Sequence, residues 1–179
     1  MIYNTYYESP IGNLMLASRG ETLIGLWMRD QKYFAATVNE EIVENNDLPI
    51  FIETKKWLDR YFAGQKPKLT ELALEPEGTD FRKEVWDILC EIEYGELLSY
   101  GDIAKRIAQK RGKKTMSAQA VGGAVGHNPI SVIIPCHRVV GSDGSLTGFS
   151  GGLEKKIKLL ELENIDMDSL YKPKKGTAL

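Results

Sequence analysis

The first part of the chain places short apolar runs on either side of turn-forming residues, a pattern typical of β-strands. Leu14–Ala17 and Leu23–Trp27 are two such runs. Gly20 lies between them and can adopt the positive φ that a hairpin turn needs. The segment Ile2–Tyr7 is rich in Tyr and β-branched residues and is suited to a third strand. The pattern therefore predicts a small antiparallel arrangement at the N-terminus.

After an acidic connection, the apolar spacing becomes helical. Pro49 would lie in the first turn and Gly64 just beyond the end, which are the favoured places for these residues. The apolar positions are Ile50, Thr54, Trp57, Leu58, Tyr61 and Phe62. Residues 64–79 contain Pro67, Pro76 and Gly78 and are predicted to be a linker. We therefore predict an N-terminal α/β domain over residues 1–75.

From Thr79 onward the pattern predicts three helices. The first has an apolar face that ends at Gly95, and its residues are Phe81, Val85, Ile88, Leu89 and Ile92. Ser99 and Asp102 form a capping-box pattern at the start of the second helix. Ser117 caps a third helix over residues 118–126, which Asn128-Pro129 ends. Two short helices joined by a turn suggest a helix-turn-helix.

The third helix has an unusual composition, since Ala and Gly occupy six of its nine positions. Gly inside a helix costs about 1 kcal/mol relative to Ala. The smooth surface permits close approach of another backbone. Close packing against a neighbouring helix or sheet is the other explanation, and the sequence alone slightly favours it.

Composition restricts the class of protein. The chain has 179 residues and a mass of 20.1 kDa, with 42% hydrophobic and 27% charged residues, which is a globular balance. No apolar run approaches the roughly 20 residues that span a bilayer. The N-terminus shows no export-signal pattern, so we expect a cytoplasmic protein. Two Cys are too few for a disulfide framework, and with only two His beside them a four-ligand structural zinc site is hard to build.

The net charge of −2 conceals an asymmetry. Residues 1–77 carry 8 basic and 12 acidic side chains, whereas residues 78–179 carry 15 and 13. The window 103–142 holds seven basic residues and no acid: Lys105, Arg106, Lys110, Arg111, Lys113, Lys114 and Arg138. Such a local positive field attracts a polyanion, although a solvated surface run has the same composition.

One cysteine has the setting of a nucleophile. Cys136 follows Pro135 at the end of an apolar run, Val132–Ile134, which is predicted to be a buried strand, and His137 comes next. A hydrogen-bonding base or nearby cation shifts a thiol toward the nucleophilic thiolate. Buried Cys is more often inert packing, and Cys90 on the apolar side of the first helix fits that interpretation.

The motif Pro-Cys-His-Arg-Val at 135–139 resembles that of the O6-alkylguanine-DNA alkyltransferases (methylated-DNA–protein-cysteine methyltransferases). Ala-Val-Gly-Gly-Ala at 120–124, Asn-Pro at 128–129, Ser-Gly-Gly at 150–152 and Leu-Leu-Glu-Leu-Glu at 159–163 extend the resemblance. It implies an α/β (α+β) fold. A small ribonuclease-H-like N-terminal domain would be followed by a winged-helix-like DNA-binding and active-site domain at 79–165 and a tail at 166–179.

The resemblance also implies roles for individual residues. Cys136 would accept the alkyl group, His137 would draw the thiol proton through a water, and Glu163 would orient the imidazole. Tyr100 would donate a proton to the departing guanine, and Asn128 would hold the turn after the DNA-binding helix. Val139, Ser150 and Gly151 would line the guanine pocket.

The third helix would enter the minor groove beside a flipped-out base. The DNA-binding residues implied are Arg82, Ser117, Ala118, Gln119, Ala120, Gly122, Gly123, Arg138 and Ser142. Many family members place an Arg where this chain has Gln119, so we expect lesion flipping with lower DNA affinity. The zinc ligands of some relatives have no counterparts, and we expect neither a metal nor a cofactor.

These observations favour a monomeric, single-use repair protein that moves alkyl groups from guanine O6, and from thymine O4, to Cys136. A non-catalytic alkyltransferase-like lesion binder is the alternative, but such relatives lack the acceptor Cys. A cysteine hydrolase or redox enzyme would share the Cys-His pair but has no use for the Gly-Gly helix or the basic window.

Overall fold

The computed structural model describes residues 1–174 and divides them into two compact units. The first comprises Met1–Gly78 and Pro129–Ile133, and the second comprises Thr79–Asn128 and the chain from Ile134 onward. Part of the expected tail, residues 175–179, lies outside the described residues.

The first unit is a four-stranded sheet with one helix. Its strands are β1 (Ile2–Ser9), β2 (Gly12–Arg19), β3 (Thr22–Met28) and β4 (Ile42–Glu44), in the order β3-β2-β1-β4. Only β1 and β4 run parallel. Gly20 has φ +64° in the β2–β3 turn, as predicted. The predicted third strand and hairpin are confirmed.

Helix α1 (Pro49–Phe62) contacts the first three strands, and Pro49 begins it as predicted. Its buried residues are Ile50, Phe51, Thr54, Trp57, Leu58 and Tyr61. Burying a side chain of this size contributes roughly 1.5–3 kcal/mol. On β3, the Trp27 ring packs over Gly25. A Cβ at this position would lie 1.9 Å from a ring atom, so only glycine fits under the indole.

Part of the predicted linker is ordered against β3. Leu23 N–H donates to the carbonyl of Ala73 at 2.8 Å, and Glu75 N–H donates to the carbonyl of Leu23 at 2.8 Å. The indole N–H of Trp57 donates to the carbonyl of Lys68 at 2.9 Å.

The predicted strand Val132–Ile134 is absent, and this corrects the sequence interpretation. Ile130 alone forms an isolated bridge, with Leu26, and the following residues form a turn in which Val132 has φ 70°. A β-branched residue at positive φ is strained. A short apolar run indicates that the residues are buried, but it does not by itself specify a strand. Here all three residues of the run are buried without pairing to a neighbouring strand.

The second unit is mainly helical, and its elements are α2 (Asp80–Cys90), β5 (Leu98–Ser99), α3 (Tyr100–Lys110), α4 (Ala118–Gly126), β6 (Val139–Val140) and α5 (Leu153–Leu162). β5 and β6 pair in parallel. The capping box of Ser99 and Asp102 and the Ser117 cap on α4 form as predicted. Thr79 caps α2 by accepting from the N–H of Arg82. Helix α4 packs against α2 and α3, completing the predicted helix pair.

Candidate active site

Cys136 lies in a short 3₁₀ turn, Cys136–Arg138, and is only 3% exposed. Burial raises the pKa of its thiol, opposed by a hydrogen bond from Asn128 and by the Lys156 charge. The sequence analysis expected neighbouring groups to shift the thiol toward thiolate; two such groups are present, but burial outweighs them. With its pKa raised by burial, the resting thiol keeps its proton, and a base has to activate it.

The candidate base is the next residue. His137 is fully buried, and its Nε2 forms a short hydrogen bond with a carboxylate oxygen, Oε2 of Glu163. Glu163 is the C-cap residue that directly follows α5, and it is 2% exposed. Its second oxygen, Oε1, accepts from Nε of Arg138 at 2.7 Å and from the backbone N–H of Gly95 at 3.2 Å. The structure thus brings Cys136, His137 and Glu163 together as nucleophile, imidazole and orienting carboxylate.

Electrostatics assign the charges in this network. Burial alone would raise the pKa of Glu163, but His137 and Arg138 outweigh it and bring that pKa to about 2. Burial lowers the pKa of His137 despite the carboxylate. We therefore take Glu163 as an anion balanced by Arg138, beside a neutral imidazole that carries its proton on Nε2. In this tautomer Nδ1 is the basic nitrogen.

Asn128 holds the chain just before the Cys136 turn. It is 2% exposed, and its Nδ2 donates to the carbonyl of Ile134 at 2.8 Å. Its hydrogen bond to Cys136 also favours the thiolate form. Asn128 therefore fixes the backbone two residues before the sulfur, which agrees with the turn-holding role that the resemblance implies.

Sequence reasoning missed Lys156, a fully buried lysine on α5. Its ammonium donates to the carbonyl of Val139 at 2.5 Å and to that of Thr147 at 2.7 Å. Burial lowers its pKa to about 8, while Cys136 acts in the opposite direction. Its spacing in the sequence could have indicated that it is buried, because Lys156 lies on the same helix face as the buried Leu159, Leu160 and Glu163.

Tyr100 at the start of α3 contacts the loop that contains Thr147, to which Lys156 also donates. Its hydroxyl donates to the carbonyls of Thr147 at 3.0 Å and Gly148 at 3.1 Å. Burial, with the nearby Cys136, raises the pKa of the phenol, so it keeps its proton. Lys156 and Tyr100 thus hold one loop between them. That loop leads to Ser150 and Gly151, which are half-buried, whereas Val139 is fully buried.

Helix α4 presents its first residues to solvent, and the exposed ones are Ser117, Ala118, Gln119 and Ala120. A Cβ added at Gly123 would meet no atom within 4 Å, whereas Gly122 is buried. Packing among residues 1–174 therefore does not require Gly at position 123, which favours close approach by another molecule at that position.

Two comparisons identify the chain. Residues 80–165 match the 6-O-methylguanine DNA methyltransferase DNA binding domain, and residues 2–76 match the ribonuclease-like domain of the same proteins. The methylated-DNA–protein-cysteine methyltransferase of Haemophilus influenzae is 44% identical over 164 residues, covering 92% of this chain and 87% of that protein. The chain belongs to the 6-O-methylguanine DNA methyltransferase family.

Other relatives agree across distant organisms. The Methanosarcina acetivorans methylated-DNA–protein-cysteine methyltransferase is 43% identical over 90% of this chain and 98% of its own length. The crystal structure of Mycobacterium tuberculosis OGT in complex with DNA has a TM-score of 0.77 and 41% identity, covering 90% of this chain and 92% of that chain. The expected fold is confirmed, and the second half of the chain is a DNA-binding domain.

Within this family member, one expected DNA contact needs correction. Arg138 is 8% exposed, its Nε donates a hydrogen bond to Glu163, and its Nη1 donates to the carbonyl of Ile92 at 2.6 Å. Its guanidinium also lies 5.8 Å from the centre of the Tyr94 ring. Arg138 is therefore committed to the active-site network. Of the other expected contacts, Arg82 is half-buried and Ser142 is exposed.

Cys90 also differs from its expected setting. It ends α2 as an exposed residue rather than lying in the apolar core. Desolvation of its sulfur and the nearby Asp87 and Glu91 carboxylates raise the pKa of its thiol to about 11. It is a weak nucleophile at neutral pH because little thiolate is present.

Over residues 1–174, no cluster of three His, Cys, Asp or Glu side chains could hold a metal ion. Within the same range, no helix is both long enough and apolar enough to cross a membrane.

Proposed function

We propose that this chain repairs DNA by direct reversal, moving a methyl or larger alkyl group from O6 of guanine, or O4 of thymine, to the sulfur of Cys136. The observation that carries the proposal is the buried Cys136–His137–Glu163 arrangement inside a DNA-binding domain of this family. The transfer forms one S–C bond and breaks one C–O bond. It needs no cofactor.

His137 starts the reaction. Because Nε2 is bonded to the Glu163 carboxylate, Nδ1 takes the thiol proton through one water as the thiolate forms. Glu163 stabilises the resulting imidazolium, and Arg138 keeps Glu163 ionised. The Lys156 charge and the Asn128 amide support the anionic sulfur. The buried thiol thus becomes a nucleophile only when its proton can move to this base.

Tyr100 completes the proton balance at the leaving group. Loss of the alkyl group leaves the purine with an extra negative charge, and the phenol proton neutralises it. The raised pKa of Tyr100 ensures that this proton is present at neutral pH. His137 gains one proton, Tyr100 gives one up, and the two exchange it through solvent after the product leaves.

The substrate is a double-stranded DNA site whose alkylated base is rotated out of the stack, at a cost of a few kcal/mol. The exposed start of α4 would enter the minor groove, and Gln119 would fill the gap left by the flipped base. Val139, Ser150 and Gly151 would line the base pocket. We place this chemistry in the domain at 79–165 of a cytoplasmic monomer, with the domain at 1–75 as its support.

A stoichiometry experiment tests the proposal. With excess duplex DNA containing O6-methylguanine, lesion loss should stop when one lesion has been repaired per protein molecule, because the S–C bond of the thioether formed on Cys136 is not cleaved to regenerate the thiol. A cysteine hydrolase would continue to turn over. A lesion binder would leave every O6-methylguanine intact, and either result contradicts the proposal.

The open space at Gly123 gives a separable prediction for DNA binding. Gly123→Ala should raise the free energy of unfolding by about 1 kcal/mol, because Ala favours a helix and its Cβ meets no neighbour. The added methyl group should nevertheless weaken duplex binding, since it lies on the face that approaches DNA. Denaturant unfolding and fluorescence anisotropy measure the two effects. Tighter or unchanged DNA binding would place the groove contact elsewhere on the helix.

Lys156 gives a prediction for the transfer rate. Lys156→Met removes two hydrogen bonds from a charged donor, each worth about 1.5–3 kcal/mol, and the charge that opposes the high thiol pKa. We expect transfer to slow by at least about tenfold, since 1.36 kcal/mol corresponds to a factor of ten. The wild-type rate should also show an inflection near pH 8, where Lys156 loses its proton, and the variant should lack it. Lys158→Met, at an exposed position of the same helix, is the matched control.

A further inference from the structure

The basic window of the sequence separates into two groups in the structure. Arg111 donates two hydrogen bonds to the Glu84 carboxylate, at 3.0 and 3.2 Å. Arg106 forms a salt bridge with Glu91, in which Nη1 lies 3.4 Å from Oε2. Arg138 is bound to Glu163. Over residues 1–174, no carboxylate forms a salt bridge with the lysines of the window, which are Lys105, Lys110, Lys113 and Lys114. Within the described range, the arginines of the window are therefore paired in salt bridges, whereas its lysines are not.

Three of these lysines line one groove, the α3–α4 groove, with a volume of about 360 Å³. Lys105 comes from α3, and Lys113 and Lys114 come from the loop that leads to α4. Ala104 and Ala108 contribute small side chains to its lining. All three lysines are exposed, whereas Ala104 and Ala108 are 5% and 4% exposed.

Two residues that line the groove are sequence neighbours of residues in the proposed active site and DNA-binding helix. Gly101 follows Tyr100 on α3, and Ala118 precedes Gln119 on α4, and both line the groove. A DNA duplex that receives the exposed start of α4 in its minor groove must place a sugar-phosphate strand beside that helix. Lysine ammonium groups along a shallow channel with small apolar side chains suit a phosphodiester strand, whose charges lie along its outer edge.

We propose that the α3–α4 groove binds the phosphodiester backbone beside the lesion, with Lys105, Lys113 and Lys114 contacting phosphates. This inference rests on the proposed function, because it assumes that α4 enters the minor groove. The lysines would supply the electrostatic attraction that the uncharged Gln119 does not. They would position the duplex without reading its sequence.

The double variant Lys113→Gln/Lys114→Gln tests the proposal on the full-length chain. The dissociation constant for an undamaged duplex is measured by anisotropy at several salt concentrations. The logarithm of the association constant falls with the logarithm of the salt concentration by about 0.9 per neutralised phosphate. If each lysine neutralises one phosphate, the magnitude of this slope should therefore decrease by about 1.8 in the double variant. Binding at low salt should weaken at least about tenfold. Lys158→Gln/Lys172→Gln makes the same charge change at exposed positions outside the groove and should match the wild type.

Single-turnover transfer distinguishes failure of this inference from failure of the proposed function. With lesion DNA, the groove variant should need more DNA for half-maximal rate but reach the wild-type rate at saturation. An unchanged salt slope and dissociation constant would overturn the groove proposal while leaving the chemistry intact. If the groove variant bound single-stranded DNA more weakly than the wild type but bound duplex DNA equally well, the groove proposal would also be overturned. Absence of transfer by the wild type would instead refute the proposed function.

Discussion

Replacing Cys136 by Ala should abolish alkyl transfer and leave binding to alkylated duplex DNA within about twofold of the wild type. The sulfur is the acceptor, and no other described cysteine shares its base. The side chain is only 3% exposed, so its loss should not alter the DNA-binding surface. Transfer is measured as radioactive methyl carried into the protein, and binding as anisotropy with the same oligonucleotide.

Cys90→Ala is the matched control for this result. Cys90 is exposed and its raised pKa leaves little thiolate, so this variant should transfer at the wild-type rate. Residual transfer by Cys136→Ala that disappears in the double variant would assign the acceptor role to Cys90 and contradict the account.

The second large effect is expected for Glu163→Gln. The amide cannot balance the buried Arg138 charge or stabilise the imidazolium of His137. Loss of one partner of a buried ion pair typically costs about 3–5 kcal/mol of unfolding free energy. An amide in the orienting position of a catalytic triad lowers the rate by about 10⁴-fold, and we expect a loss of that order here.

The same carboxylate gives a pH dependence whose sign is defined. Its pKa falls from 4.5 in the free residue to about 2 in the folded chain, so the unfolded chain binds this proton more readily. Glu163 therefore contributes stability above pH 4.5 that is lost as the pH falls toward 2. The wild type should lose its stability advantage over Glu163→Gln across this interval, as measured by urea unfolding at each pH.

Glu161→Gln is the control for both measurements, because Glu161 is an exposed carboxylate two residues earlier on α5. It should preserve the rate and the stability of the wild type. If Glu163→Gln folds with wild-type stability and transfers at the wild-type rate, Glu163 neither orients His137 nor balances Arg138, and the proposed proton path fails.

Local rules predicted much of this fold because they act over a few residues. The capping box at Ser99, the cap at Ser117 and the turn at Gly20 depend on side-chain chemistry within one helical turn or hairpin, and all three form as predicted. Val132–Ile134 shows where such rules stop. Its apolar residues correctly indicated burial, but a strand needs a neighbouring strand to pair with, and only Ile130, two residues before this run, forms such a bridge.

The site shows the same division. The motif brought attention to Cys136, His137 and Glu163, yet the direction of the thiol pKa depends on burial, which a sequence does not contain. The sequence shows the charge of Arg138, which suggested a phosphate contact. It does not show that Glu163, 25 residues later, forms a salt bridge with this guanidinium. Lys156 was overlooked for the converse reason, since a charged residue on an apolar helix face is easily taken for a solvated one. Its carbonyl partners are backbone groups with no sequence signature.

The central claim is a single covalent transfer to Cys136, and intact-protein mass spectrometry tests it most directly. The protein is weighed before and after mixing with a duplex that carries one O6-methylguanine, and the product is then digested and mapped. The account predicts a gain of one methyl group on every reacted molecule, located on the peptide that contains Cys136. An unchanged mass in the presence of tight lesion binding would contradict it and identify the chain as a lesion binder instead.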